Sequence, residues 1–119
     1  MSAADLQTLR ILDGRYVLER LTTDAPQTEV LATVHGPDGG ARMRRDDSAA
    51  ADTWVALWNG DAAHSPEATG MLAVIVTPLA AGGVPVWTAA SYDGDIVLVP
   101  QDRFADVQQL LRDAGHAVH

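Results

Sequence analysis

PEATGMLAVIVTPLAAGGVPVWTAASYDGDIVLVPQDRFADVQQLLRDAG, residues 66–115, decides the fold. Its periodicity predicts a helix, a hairpin and a second helix, with a turn signal at each junction. From Thr69 to Ala81, Met71, Leu72, Ile75 and Leu79 recur at helical spacing. Gly82-Gly83 closes that run, because glycine enters the left-handed conformation that many helix C-termini use. Val84–Ser91 is β-prone, Tyr92-Asp93-Gly94 supplies a turn, and Asp95–Val99 returns as the second arm. Pro100 and Asp102 open the last helix, in which Phe104, Val107, Leu111 and Ala114 share a stripe that Gly115 ends. Pro78 sits inside the first helical pattern, where it removes an amide and predicts a kink.

Upstream, Trp54–Trp58 (WVALW) reads as a strand leading into the loop NGDAAHSPEA. With a short strand after Gly115, the order becomes β-α-β-β-α-β, a ferredoxin-like α+β unit with an antiparallel sheet and both helices on one face. Residues 46–52, DDSAAAD, form a small-residue connector and divide the chain into residues 1–52 and 53–119. In the first part, Tyr16–Leu21, Val30–Val34 and Ala41–Arg45 read as strands, separated by TTDAPQ (22–27) and HGPDGG (35–40). Ser2–Leu12 reads as a short helix or an ordered arm.

The 119 residues suit one domain, or two small units sharing a core. A hydrophobic fraction of 47% and a charged fraction of 20% fit a folded chain, not a disordered one. The formal net charge is −8, all eight basic residues are arginine, and so acidic a surface repels phosphate backbones; no nucleic-acid partner is expected. The absence of cysteine excludes disulfides, thiolate metal sites and a cysteine nucleophile. MSAADLQTLR does not read as a signal peptide, and Met71–Val76 is too short an apolar run to span a bilayer. A cytoplasmic protein without membrane partners is expected.

The string from Thr69 to Gly115 resembles the ACT domain, a small regulatory module that binds amino acids. The likeness is nearest to the paired-ACT branch that includes aspartokinase regulatory regions and the arginine-sensing CASTOR proteins. It rests on Gly70-Met71, Pro78-Leu79-Ala80, Gly83-Val84, Ser91-Tyr92-Asp93-Gly94-Asp95 and Val97–Pro100. Family members share the proline inside the helix. Gly94 stands where threonine is common, and Val84-Pro85 replaces a small polar or β-branched step. GRYVLERLTTDAP (14–26) resembles the opening strand of small bacterial members, so residues 1–52 would form a degenerate ACT-like half. The resemblance also implies a homodimer, since ACT modules commonly align their sheets edge to edge.

In such a module the ligand site would form where the loop from Asn59 to Thr69 meets Gly83-Val84-Pro85. Helix amides near Gly70 and Met71 suit a carboxylate, glycine allows close approach, and Asp61, Asp93 and Asp95 are candidates for an ammonium group. The same glycines and aspartates also serve as ordinary caps and solvated turn residues. His64 is a candidate ligand or partner contact, or simply an exposed loop residue. Ser65-Pro66-Glu67 reads as a helix start, and Ser65 lacks the elbow of a catalytic serine. His116 and His119, three apart, face opposite sides of a strand and do not suggest a metal site. The three tryptophans read as core or interface anchors.

The expected function is therefore a non-enzymatic sensor for a small molecule, an amino acid above all, with no cofactor, no metal and no catalytic residue. The alternative is a protein-interaction module on the same scaffold that has lost its ligand. A small enzyme using His64 and Asp61 as an acid–base pair has only their proximity in sequence behind it.

Overall fold

Strand β5 (Trp54–Trp58) is the one on which the sheet assembles in the computed structural model, which describes residues 6–22 and 28–119. One edge of β5 pairs antiparallel along its whole length with β7 (Asp95–Pro100), from Trp54↔Pro100 to Trp58↔Ile96. Beyond β7 lies β6 (Trp87–Ala90). The other edge of β5 is shared. β1 (Thr8–Ile11) takes its C-terminal end through Arg10↔Trp58 and Ile11↔Leu57, and β2 (Tyr16–Arg20) takes its N-terminal end through Tyr16↔Trp54. β4 (Ala41–Arg45) pairs with β2, and β3 (Val30–Val34) with β4, both antiparallel. β8 (Ala117–Val118) runs parallel to β1. The fold is α+β, with one mixed sheet and two helices, α1 (Ala73–Ala81) and α2 (Phe104–Asp113).

From β5 onward the order is β-α-β-β-α-β, as the sequence predicts. The parallel β1–β8 pair corrects the expectation of a purely antiparallel sheet. β1 also replaces the expected helix or arm over Ser2–Leu12, of which residues 1–5 lie outside the described residues. It crosses the expected division at residue 52, because it sits between β5 and β8 with Leu9 wholly buried.

The continuous apolar run of β7 is explained by burial on both sides. Val97 and Val99 join a core with Val55, Leu57, Ile75, Leu79, Val107 and Leu111; Ile96 and Leu98 join a second cluster with Ala56, Tyr16 and Met43. A strand exposed on one side would alternate; one covered on both does not need to. Each such side chain contributes about 1.5–3 kcal/mol relative to an exposed position.

α1 starts at Ala73, not Thr69, because Gly70 adopts a left-handed backbone (φ 77°) and the turn from Ser65 to Ala68 is closed on itself. Ser65 accordingly caps that turn, its hydroxyl accepting the Glu67 amide at 3.2 Å, and is not a helix cap. Strand β6 begins at Trp87 and not Val84, since the Val84 amide donates to Leu79 O and Pro85 has no amide to donate. The α-helix runs on through Pro78 to Ala81. Proline leaves the carbonyl four residues back, Val74 O, without its helical donor. The buried His116 ring supplies one, with Nε2 3.0 Å from Val74 O, while its Nδ1 accepts the Gln7 amide at 3.1 Å. Those two partners fix the neutral tautomer with the proton on Nε2.

Candidate functional site

At the C-terminal end of β5 the chain places four buried polar side chains where the sheet meets the start of α1: Gln7, Asn59, Asp95 and His116. Asn59 follows the last residue of β5 and reads both ends of its neighbour. Its Oδ1 accepts the Asp95 amide at 2.6 Å and its Nδ2 lies 3.4 Å from Asp95 Oδ2. The same Nδ2 donates to Gln7 Oε1 at 2.8 Å, and Gln7 Nε2 donates to Met71 O at 2.6 Å. Gln7 thus ties the first turn before α1 to the strand ends, and Asn59 fixes the start of β7. Gly94 allows this closeness: a Cβ there would stand 2.4 Å from Gly60 Cα.

Beside this cluster opens a cavity of about 250 Å³, walled by His64, Ser65, Gly70, Met71, Tyr92, Asp95 and small apolar residues. Its floor meets the start of α1, which no side chain caps. A helix start carries a partial positive charge. Here the Val74 amide already donates to Gly70 O at 3.2 Å and the Ile75 amide to Leu72 O at 3.1 Å. Of the first three α1 amides, only that of Ala73, in the cavity wall, has no acceptor among the described residues. His64 is held by its backbone amide, which donates to Asp93 O at 3.3 Å, and its Nε2 lies 4.0 Å from Asp95 Oδ2. His64 Nδ1 is buried without a hydrogen-bond partner. An unsatisfied buried polar atom costs about 1–3 kcal/mol, so this ring is set for a partner.

Of the ten residues expected at a ligand site, His64, Ser65, Gly70, Met71 and Asp95 come together in this wall. Asp93 contributes its carbonyl to His64, and its side chain is in the exposed turn. Asp61 stands apart and is already engaged: its carboxylate accepts Arg10 Nε at 2.7 Å, Arg10 Nη2 at 3.1 Å and Trp58 Nε1 at 3.1 Å. The hydrogen bond from Arg10 holds the Asp61 carboxyl below its usual range. Gly83, Val84 and Pro85 lie at the other end of α1, which at nine residues and about 1.5 Å per residue spans ~13 Å. Val84 is buried in the core, Gly83 O is 3.4 Å from Arg103 Nη1, and Pro85 borders a separate, more open cleft of about 760 Å³ with Arg15, Trp54 and Arg103.

Gln7 and Asn59 had no local signal. An amide side chain becomes part of a site only through partners distant in sequence, and Gln7 reaches Asn59 across 52 positions. Tyr92, 77% exposed on the cavity rim, reads in sequence only as a turn residue.

Residues 50–113 match the family model of the ACT domain. No curated protein matches the chain. Among solved structures, protein Atu0741 from Agobacterium tumefaciens superposes with a TM-score of 0.75 at 23% identity, over 95% of this chain and 92% of that one. VC0802 from Vibrio cholerae, a protein of unknown function described as a possible transport protein, superposes with a TM-score of 0.71 at 22% identity over 91% of each chain. At such identities the likeness concerns the fold.

Proposed function

Since the chain belongs to the ACT-domain family, we propose that it is a non-enzymatic, cytoplasmic regulatory module that binds an amino acid in the cavity at the start of α1. The observation that carries this reading is His64 Nδ1, buried and unpartnered in the wall of that cavity beside Asp95. A bound zwitterion would set its carboxylate against the Ala73 amide at the start of α1 and its ammonium against Asp95, and give the His64 ring its missing partner. Both helices cover one face of the sheet, and of the strands before residue 53, β2, β3 and β4 act as a degenerate ACT-like half, while β1 joins the helix-side core through Leu9. A homodimer would form through β6, whose only partner among the described strands is β7. The regulatory effect would then be differential affinity, the ligand favouring whichever arrangement of subunits binds it better.

Thermal denaturation of the chain with each of the twenty L-amino acids tests the reading. A ligand at about 100 times its Kd adds ~2.7 kcal/mol to the native state, which raises Tm by several degrees in a chain of this size. The His64→Ala variant should lose most of that rise. If no amino acid stabilises the fold, the amino-acid reading is abandoned.

A specific observation favours the alternative of a protein-interaction module. Trp87 and Val34, 49% and 56% exposed, flank an apolar cleft of about 200 Å³ between β6 and the β2–β4–β3 strands. Large exposed apolar side chains grouped in this way suit a protein partner.

A further inference from the structure

The charges around the cavity say which ligands it can accept. Asp95 is 9% exposed and stands in the wall, which contains no arginine or lysine and no second carboxylate. Asn59 Nδ2 at 3.4 Å and His64 Nε2 at 4.0 Å both lie on its Oδ2; Oδ1 makes no hydrogen bond among the described residues. A carboxylate this far from water is costly unless a positive group meets it. The nearby Arg10 is engaged by Asp61. The remaining wall is uncharged, with the hydroxyls of Ser65, Ser91 and Tyr92 beside apolar Leu72 and Ala90. The volume, about 250 Å³, falls just below the roughly 300–1,000 Å³ of sites for drug-sized ligands, so it suits a molecule of amino-acid size.

We infer that the cavity selects a zwitterionic amino acid with an uncharged side chain and rejects dicarboxylic and dibasic ones, with Asp95 as the residue that sets the selection. This rests on the amino-acid reading above. One ammonium is matched by Asp95 and one carboxylate by the Ala73 amide at the positive end of α1. A second carboxylate would find no arginine or lysine in the wall and would also face the field of a chain carrying a formal net charge of −8. A second ammonium would find no second carboxylate. The discrimination is therefore built from unpaired charge, which excludes a wrong ligand more sharply than shape does.

Isothermal titration of the whole chain with L-leucine, L-glutamate and L-lysine tests this, on the native protein and on Asp95→Asn. Leucine should bind the native chain at least about tenfold more tightly than glutamate or lysine, the effect of one unmatched charge at close range. Asp95→Asn should weaken leucine by about tenfold and shrink its margin over glutamate. Glutamate or lysine binding the native chain as tightly as leucine would overturn the selectivity while leaving an amino-acid site in place. Leucine binding unchanged in Asp95→Asn would remove Asp95 from the role. Failure of every amino acid to bind would overturn the site reading together with this one. The native-chain comparison decides the selectivity even if the variant does not fold.

Discussion

The coupling between Pro78 and His116 makes a prediction that can be worked through in numbers. His116 is 4% exposed and holds two buried backbone groups, the Gln7 amide at 3.1 Å and Val74 O at 3.0 Å. In His116→Leu both of these hydrogen bonds are lost, and at about 1–3 kcal/mol for each the expected loss is ~2–6 kcal/mol. The same substitution in a Pro78→Ala background should cost less. Alanine returns an amide at position 78, four residues after Val74, so Val74 O keeps a donor and only the hydrogen bond from the Gln7 amide is then lost. The difference between the two losses should be about 1–3 kcal/mol, the cost of leaving Val74 O without a donor. Pro78→Ala alone should stabilise, since proline inside a helix is about 3 kcal/mol worse than alanine. Urea unfolding of the four proteins measures the cycle. Sites that do not interact add to within about 0.3–0.5 kcal/mol. A cycle that closes within that margin would refute the idea that the ring substitutes for the missing amide.

Other outcomes follow from the same contacts. Gly94→Ala should destabilise by about 1–3 kcal/mol, since its Cβ would stand 2.4 Å from Gly60 Cα, a backbone atom with little room to move; calorimetry measures it. Leu111→Ala, at a wholly buried position of α2, should cost about 2–5 kcal/mol in urea unfolding. Glu19 bridges Arg42 and Arg44 at 2.6 and 2.8 Å, and the hydrogen bond from Arg44 is the main cause that holds its carboxyl below the usual range. A carboxyl lowered in the folded state stabilises fully above its unfolded value of about 4.3, and that contribution is lost as the pH falls through the folded value. Stability measured from pH ~6 downward should therefore fall less steeply in Glu19→Gln than in the native chain. Asp46, held low first by the Ser48 hydroxyl, and Asp47 and Asp61, held low by hydrogen bonds from Arg45 and Arg10, should keep the acid slope from vanishing.

What could be read from the sequence was whatever local chemistry decides. β3 and β5 fall on apolar runs and β4 on the return arm after the HGPDGG break, and the hairpin closes at Tyr92-Asp93-Gly94 through Ser91 N to Gly94 O at 2.8 Å. β1 could not be read in this way. Its four residues make a strand only because β8, at the far end of the chain, and β5 supply partners on either side. The site was legible in part for a similar reason. His64, Ser65, Gly70, Met71 and Asp95 belong to the loops that the βαββ order brings to one end of the sheet. Gly83-Val84-Pro85 belongs to the opposite end, because a helix separates its two termini by its own length. Asp61 follows β5 closely enough to suggest a ligand, yet Arg10, brought alongside by β1, takes its carboxylate.

The most direct test of the account is the nitrogen chemistry of His64 itself. Long-range ¹H–¹⁵N correlation spectra should be recorded while adding the amino acid that raises Tm most. The account predicts that the His64 Nδ1 resonance moves to a hydrogen-bonded position as the ligand saturates, while His116, with both ring nitrogens engaged, keeps its shifts. A His64 resonance that stays still at saturation would contradict it.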